Sequence, residues 1–224
     1  MNIAVLVNSC HEYHEKTLPV VLSSLARAGV DASRIFVVVG DSPRESKETV
    51  VVGEVDYNVW KVTECNVDTT ALIWAVGKDG QEALLPFEYV FYVHDTVEVL
   101  PVFGENLDAT LDAWQNPDAL MLGHLSMSTG YYNLDALRRL ETKILALANR
   151  DPERRSSIKP GSEDQVFRMM QDEGMVVKNL GQYCDVDETL QPYGGQKRQR
   201  ETWALPGFVK YKANWGQGGC YMGA

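Results

Sequence analysis

Three of the strand-like runs in this chain are continuously apolar: Ile3-Ala4-Val5-Leu6-Val7, Ile35-Phe36-Val37-Val38-Val39 and Val90-Phe91-Tyr92-Val93. A strand that faces water on one side alternates apolar and polar residues. A strand apolar at every position is buried on both faces, as in a parallel sheet covered by helices. Tyr57 to Val62 and Leu120 to Leu122 add two further strand-like runs.

Helical periodicity fills the gaps. Leu18, Val21, Leu22 and Leu25 share one face, and Gly29 stands where a helix stop belongs. Phe103, Leu107, Leu111 and Trp114 form a second stripe, and Leu134, Leu137, Ile144, Leu145 and Ala148 a third. Val166, Phe167 and Met170 form a fourth, opened by Ser162 and Gln165 at capping-box spacing. A shorter helix is predicted over Thr69 to Val76. Alternating strands and helices give an α/β fold with a mixed, mostly parallel sheet flanked by helices. At 224 residues the chain suits one core. Residues 1–190 are expected to form that domain. Residues 191–224, rich in Gly, aromatic and basic residues, are expected to be an irregular extension packed on it or covering a site.

An apolar fraction of 45% excludes wholesale disorder, and a net charge of −10 argues against general nucleic-acid binding. The four cysteines (Cys10, Cys65, Cys184 and Cys220) have neither zinc-site nor disulfide-framework spacing. No run is long enough to span a bilayer, and no leader pattern precedes Ile3, so a cytoplasmic setting is expected. Dinucleotide-binding, phosphate-loop and nucleophile-elbow motifs are absent from the sequence.

Ligands of open parallel sheets bind beyond the carboxyl ends of the strands. There the three apolar runs deliver Asn8-Ser9-Cys10-His11, Gly40-Asp41-Ser42 and His94-Asp95-Thr96. Each stretch also suits an ordinary polar turn; their convergence is what suggests a site. Asp95, assisted by His94, is a candidate ligand for Mg²⁺ or Mn²⁺ on a diphosphate. Glu163 and Asp164, in the first turn of the fourth helix, are candidate general bases, although acids are also common there for electrostatic reasons. Asp185 and Asp187 read as a solvated turn.

In order and character these residues resemble the glycosyltransferases of the GT-A fold, family 2-like and nucleotide-sugar dependent, over about the first four-fifths of the chain. Ile3 to Ser9 resembles the opening strand that meets the base, and Phe36 to Ser42 the second strand, whose acid faces uracil or ribose. Asn66 to Ala75 resembles the helix after the third strand. Tyr92-Val93-His94-Asp95-Thr96 falls at the family's DxD motif, with Asp95 its one unambiguous carboxylate. Ser128-Thr129-Gly130-Tyr131-Tyr132 resembles the sugar and acceptor segment, and Gly161-Ser162-Glu163-Asp164 the helix-opening acids that supply the base.

The resemblance implies transfer of a sugar from a nucleoside-diphosphate donor, a UDP-sugar first, to an acceptor hydroxyl with inversion. Asp164 or Glu163 would be the base. Asn8, Ser9, His11, Asp41, Asp95, Thr96 and Gly130 would bind donor, and Asp95 and His94 a metal. Tyr131, Lys197, Arg198, Arg200 and Lys210 would contact diphosphate or acceptor, the basic residues sharing the work of the cation. The acceptor would be a glycan or small molecule, with a modified nucleic-acid base as the other option. The rival readings are a sugar-phosphate nucleotidyltransferase and a non-catalytic nucleotide-sugar-binding protein.

Overall fold

The computed structural model describes residues 2–64, 66, 68–122, 129–148, 164–181, 184–190, 192 and 197–212. The chain opens with β1 (Ile3–Cys10), α1 (His14–Arg27), β2 (Ile35–Gly40), β3 (Ser46–Val52) and β4 (Val55–Lys61). It continues through α2 (Thr70–Val76), α3 (Lys78–Ala83), β5 (Tyr89–His94), β6 (Val97–Val99), α4 (Phe103–Ala113), β7 (Ala119–Met121) and β8 (Gly130–Asn133). Then follow α5 (Leu134–Arg139), α6 (Glu141–Leu145), α7 (Gln165–Asp172), β9 (Val177–Asn179), β10 (Cys184–Leu190), β11 (Lys197–Trp203) and β12 (Phe208–Tyr211).

The main sheet runs β3-β4-β2-β1-β5-β8-β7-β9. Its centre, β4-β2-β1-β5, is parallel, whereas β3 and β8 run antiparallel to their neighbours. The expected class, a mixed and mostly parallel sheet flanked by helices, is the observed one. The continuous apolar runs have the predicted cause. Ile3, Val5 and Val7 face the stripe of Leu18, Val21, Leu22 and Leu25 on α1, together with Phe103, Leu107 and Leu111 of α4. Ala4 and Leu6 face α2, α5, α6 and α7 on the other side. Each Val, Leu, Ile or Phe among them contributes roughly 1.5–3 kcal/mol on removal from water. Gly29, with φ 74°, follows α1 in the left-handed conformation that ends it.

Because α1 covers one face and α2 the other, the winding reverses between β1 and β5. An open α/β sheet with this reversal is expected to take ligands at the carboxyl ends of these two strands.

Several expectations are corrected. The third stripe is not one helix: α5 ends at Arg139 and α6 begins at Glu141, with Leu140 between them. The end of the chain is not irregular where it is described. β10, β11 and β12 form a second, antiparallel sheet completed by β6. Its C-terminal strands begin at Cys184, and Asp185 and Asp187 lie in a strand rather than a turn. Among the described residues no helix is long and apolar enough to cross a membrane.

Candidate active site

Strand register brings the predicted stretches to one edge. Asn8 lies beside His94 and Cys10 beside Gly40. The connections are short: the His11 amide donates to the Gly40 carbonyl at 2.9 Å, and the Asp95 amide to the Asn8 carbonyl at 2.9 Å. A Cβ at Gly40 would lie 2.9 Å from Thr70 Cγ2 and 3.1 Å from the Glu64 carbonyl, so only glycine lets β2 end this close to α2.

The period of two then divides the polar residues between the faces. Ser9 and Asp95 follow the positions that face α1, and Asn8 and His94 those that face α2. Accordingly Asn8 Oδ1 accepts the Ala71 amide at the start of α2 at 2.9 Å. Asp95 turns the other way: its Oδ2 accepts the hydroxyls of Ser9 and, from α1, of Thr17, each at 2.5 Å. His94 stands edge-on to Tyr92 with ring centroids 5.5 Å apart. His11 is exposed and stacks on His14 at 5.5 Å.

From the second sheet β12 places Lys210 opposite Val97, and its buried ammonium donates to Thr96 Oγ1. Burial raises the Asp95 pKa, opposed by the Ser9 and Thr17 hydroxyls and by the Lys210 charge. Burial first, and Lys210 second, hold the His94 imidazole well below its ordinary value, so the ring is neutral at pH 7. Of the other basic candidates, Arg200 is not gathered here. Arg200 pairs with Asp187 on the second sheet, and the side chains of Lys197 and Arg198 lie outside the described residues.

This geometry revises the metal reading of Asp95 and His94. One Asp95 oxygen already holds two hydroxyl protons. A dication on that oxygen would have to displace them, and one on either oxygen would sit near an ammonium, whose repulsion in a poorly hydrated setting is strong. Among the described residues no three His, Cys, Asp or Glu side chains gather as a metal site. The residues present do not fit a divalent cation at Asp95 and His94.

Asp41, just past β2, has φ 60°, an uncommon conformation for a residue with a side chain. Its amide donates to the Glu64 carbonyl at 2.9 Å. Gly130 lies opposite Tyr92 on β8. A Cβ there would stand 2.3 Å from the Leu120 carbonyl, so its glycine identity is explained by sheet packing. Tyr131 is placed away from the strand ends. It is fully buried on the α4 side, donates its hydroxyl to the Leu107 carbonyl at 3.0 Å and packs on Phe91.

Asp164 lies at the start of α7, which packs on the same face of the sheet as α2. It occupies the cap position before α7, one residue ahead of the helix rather than in its first turn. An aspartate there ordinarily accepts a backbone amide of the first turn, but Asp164 makes no such bond. Its Oδ2 accepts from Arg168 Nε at 2.7 Å, and its Oδ1 is buried with no hydrogen-bond partner among the described residues. Tyr132 stacks on Phe167 at 4.6 Å; burial foremost, and then the Asp164 charge, push its phenol well above the ordinary value. Ser162 and Glu163 lie outside the described residues, as do Ser128 and the stretches 193–196 and 213–224.

Sequence reasoning missed Thr17 and Arg168. Nothing in the sequence separates Thr17 from any helical threonine. Arg168 carried a usable signal, its spacing of four from Asp164. A separate cavity of about 640 Å³ lies at the β3–β4 edge, between Trp60, Trp74, Lys47 and the α3 acids Asp79 and Glu82; no predicted site residue lines it.

No family model and no curated protein matches the chain. Among solved structures it is similar to residues 1–349 of TarS from S. aureus, with 18% identity and a TM-score of 0.46 over 80% of this chain and 58% of that one. The complex of that protein with UDP matches at 17% identity and TM-score 0.44, covering 80% and 58%. Its complex with UDP-GlcNAc gives 17% and 0.44, covering 80% and 56%. The chain thus spans under two thirds of the length of these structures. Likeness at this level fixes neither family nor ligand.

Proposed function

We propose that this chain is a glycosyltransferase that takes a nucleoside-diphosphate sugar, a UDP-sugar first, in the crevice beyond β1, β2 and β5. Asp164 is its general base. The observation that carries the reading is the state of Asp164: a buried acid in a capping position that forgoes the helix amides and keeps one oxygen without a partner among the described residues. An unsatisfied buried acceptor costs about 1–3 kcal/mol, and such groups call for a functional explanation. An acceptor hydroxyl would supply the missing proton donor.

In the reaction the acceptor O–H gives its proton to Asp164 Oδ1 while its oxygen bonds to the anomeric carbon. The bond from that carbon to the diphosphate breaks, and the nucleoside diphosphate leaves with the electron pair. One displacement inverts the anomeric centre. Asn8 and Asp41 orient the nucleotide, Ser9, His11, Asp95 and Thr96 shape the crevice beside it, and Lys210 contributes positive charge toward the diphosphate. No step is routed through a divalent cation.

The test pairs two measurements on the purified chain and on Asp164→Asn. UDP-GlcNAc turnover, followed as UDP release, should fall at least 100-fold in the variant, on the order of the contribution of a general base. UDP affinity by calorimetry should stay within about twofold, because the base acts on the acceptor. Undiminished turnover in the variant would remove Asp164 from the mechanism.

A further inference from the structure

We infer that Arg168 is a positioning residue for Asp164. It fixes one carboxylate oxygen so that the other is presented, unpartnered, to the acceptor. The inference rests on the reading of Asp164 as the base and adds a residue to it.

Asp164 departs from the usual capping arrangement. In the cap position its lowest-cost arrangement is to accept a first-turn amide. Its backbone has φ −103° and ψ 11°, whereas a capping residue is typically extended. The carboxylate instead meets Arg168 one turn along α7, with Nε to Oδ2 at 2.7 Å. A guanidinium is planar, always charged and directional, so its Nε–H holds Oδ2 in place.

An ordinary surface pair at this spacing leaves both carboxylate oxygens in water and is worth a few tenths of a kcal/mol. Here the partners are unequal. The Arg168 side chain is 61% exposed and that of Asp164 11% exposed. The arginine reaches from solvent to a carboxylate whose second oxygen is sealed from water and has no partner among the described residues. Phe167, between them in sequence, is buried against Tyr132 and keeps α7 from rotating Asp164 away. A pair that served only to stabilise the helix would not need one oxygen left unsatisfied.

The test uses Arg168→Ala and Arg168→Lys in the full chain. The expected result for Arg168→Ala is a kcat for UDP release from UDP-GlcNAc lowered about tenfold or more, with the donor KM and the UDP Kd within twofold of the parent. Arg168→Lys should fall between, since it restores charge without the planar fork. Because the site of Arg168 is open to solvent, millimolar guanidinium should return part of the kcat to Arg168→Ala and none to Asp164→Asn. A helix-stabilising role alone would lower the melting temperature without splitting kcat from KM and without that rescue. Parental kcat in Arg168→Ala, or a loss that guanidinium leaves untouched, overturns the inference while an inert Asp164→Asn keeps the base reading intact. Full turnover in Asp164→Asn, or none in the parent chain, removes the base reading and this inference together.

Discussion

Thr17 and Asp95 are joined by a buried hydrogen bond of 2.5 Å that ties α1 to the end of β5. Ser9 donates to the same oxygen from β1. Three elements that meet at the crevice are therefore locked through one carboxylate. Thr17→Val keeps the shape of the side chain and removes the donor. The expected cost is about 1–3 kcal/mol for a charged acceptor left short of a partner, or a melting temperature lowered by roughly 2–10 °C in a chain of this size. Thr17→Ser should melt near the parent, and calorimetry of the three proteins decides.

The same carboxylate carries a pH signature of opposite sign to most acids. Its folded pKa is raised, chiefly by burial, so the folded state binds the proton more tightly than the unfolded chain does. The penalty for this buried charge is full above the folded pKa. It fades as pH falls through that value and is gone below the unfolded value, near 4. Asp95→Asn has no such group. The stability difference between parent and Asp95→Asn should therefore move in favour of the parent between neutral pH and pH 4. Urea unfolding at a series of pH values would show it, and a difference that moves the other way would mean that Asp95 is held as a stabilised anion.

What the sequence revealed and concealed follows from the same physics. IAVLV, IFVVV and VFYV announced β1, β2 and β5 because strands buried on both faces favour apolar residues at consecutive positions. The crevice followed from their polar successors. Which face each successor takes was also present, in the alternation of Val7, Asn8 and Ser9. Asp95 reads as a metal ligand until Thr17, far away in sequence, is seen to hold it. The strands of the second sheet were hidden for a related reason. In β11 the buried residues include Glu201 alongside Trp203, and a charged residue on an inner face gives no apolar alternation to detect. Glu201 is there because the Trp203 indole donates to it at 3.0 Å, a contact that no spacing rule anticipates. β3, SKETVVV at the sheet edge, is apolar only over its last three residues, with polar residues before them.

Cys184, at the start of that second sheet, should be unreactive despite being only half-buried. Burial first, with the Glu201 and Asp185 charges after it, pushes its thiol up to about 12. At pH 8 roughly one thiol in 10⁴ would be ionised, and the thiolate is the nucleophile. Alkylation by iodoacetamide, read by mass spectrometry on the peptide containing Cys184, should be far slower than for a free cysteine. Glu201→Gln should speed it, since one of the opposing charges is removed. Rapid labelling in the parent chain would show that the thiol is not so disposed.

Asp41 allows the demands of folding and of binding to be separated at one residue. Its φ of 60° lies in the left-handed region, which glycine enters freely and a side chain enters at a cost. Strain of this kind, of order 1–3 kcal/mol, persists where surrounding structure or function enforces it. If the fold alone needed that conformation, glycine would serve at least as well. Asp41→Gly should accordingly melt no lower than the parent, and Asp41→Ala, which keeps the strain and loses the carboxylate, should melt at or below it. Both should lose UDP affinity by about tenfold if the carboxylate orients the nucleotide, the cost of a hydrogen bond to a charged group. Calorimetric titration of UDP into the three proteins checks this. Unchanged affinity in Asp41→Gly would confine Asp41 to the turn after β2 and take it out of the donor site.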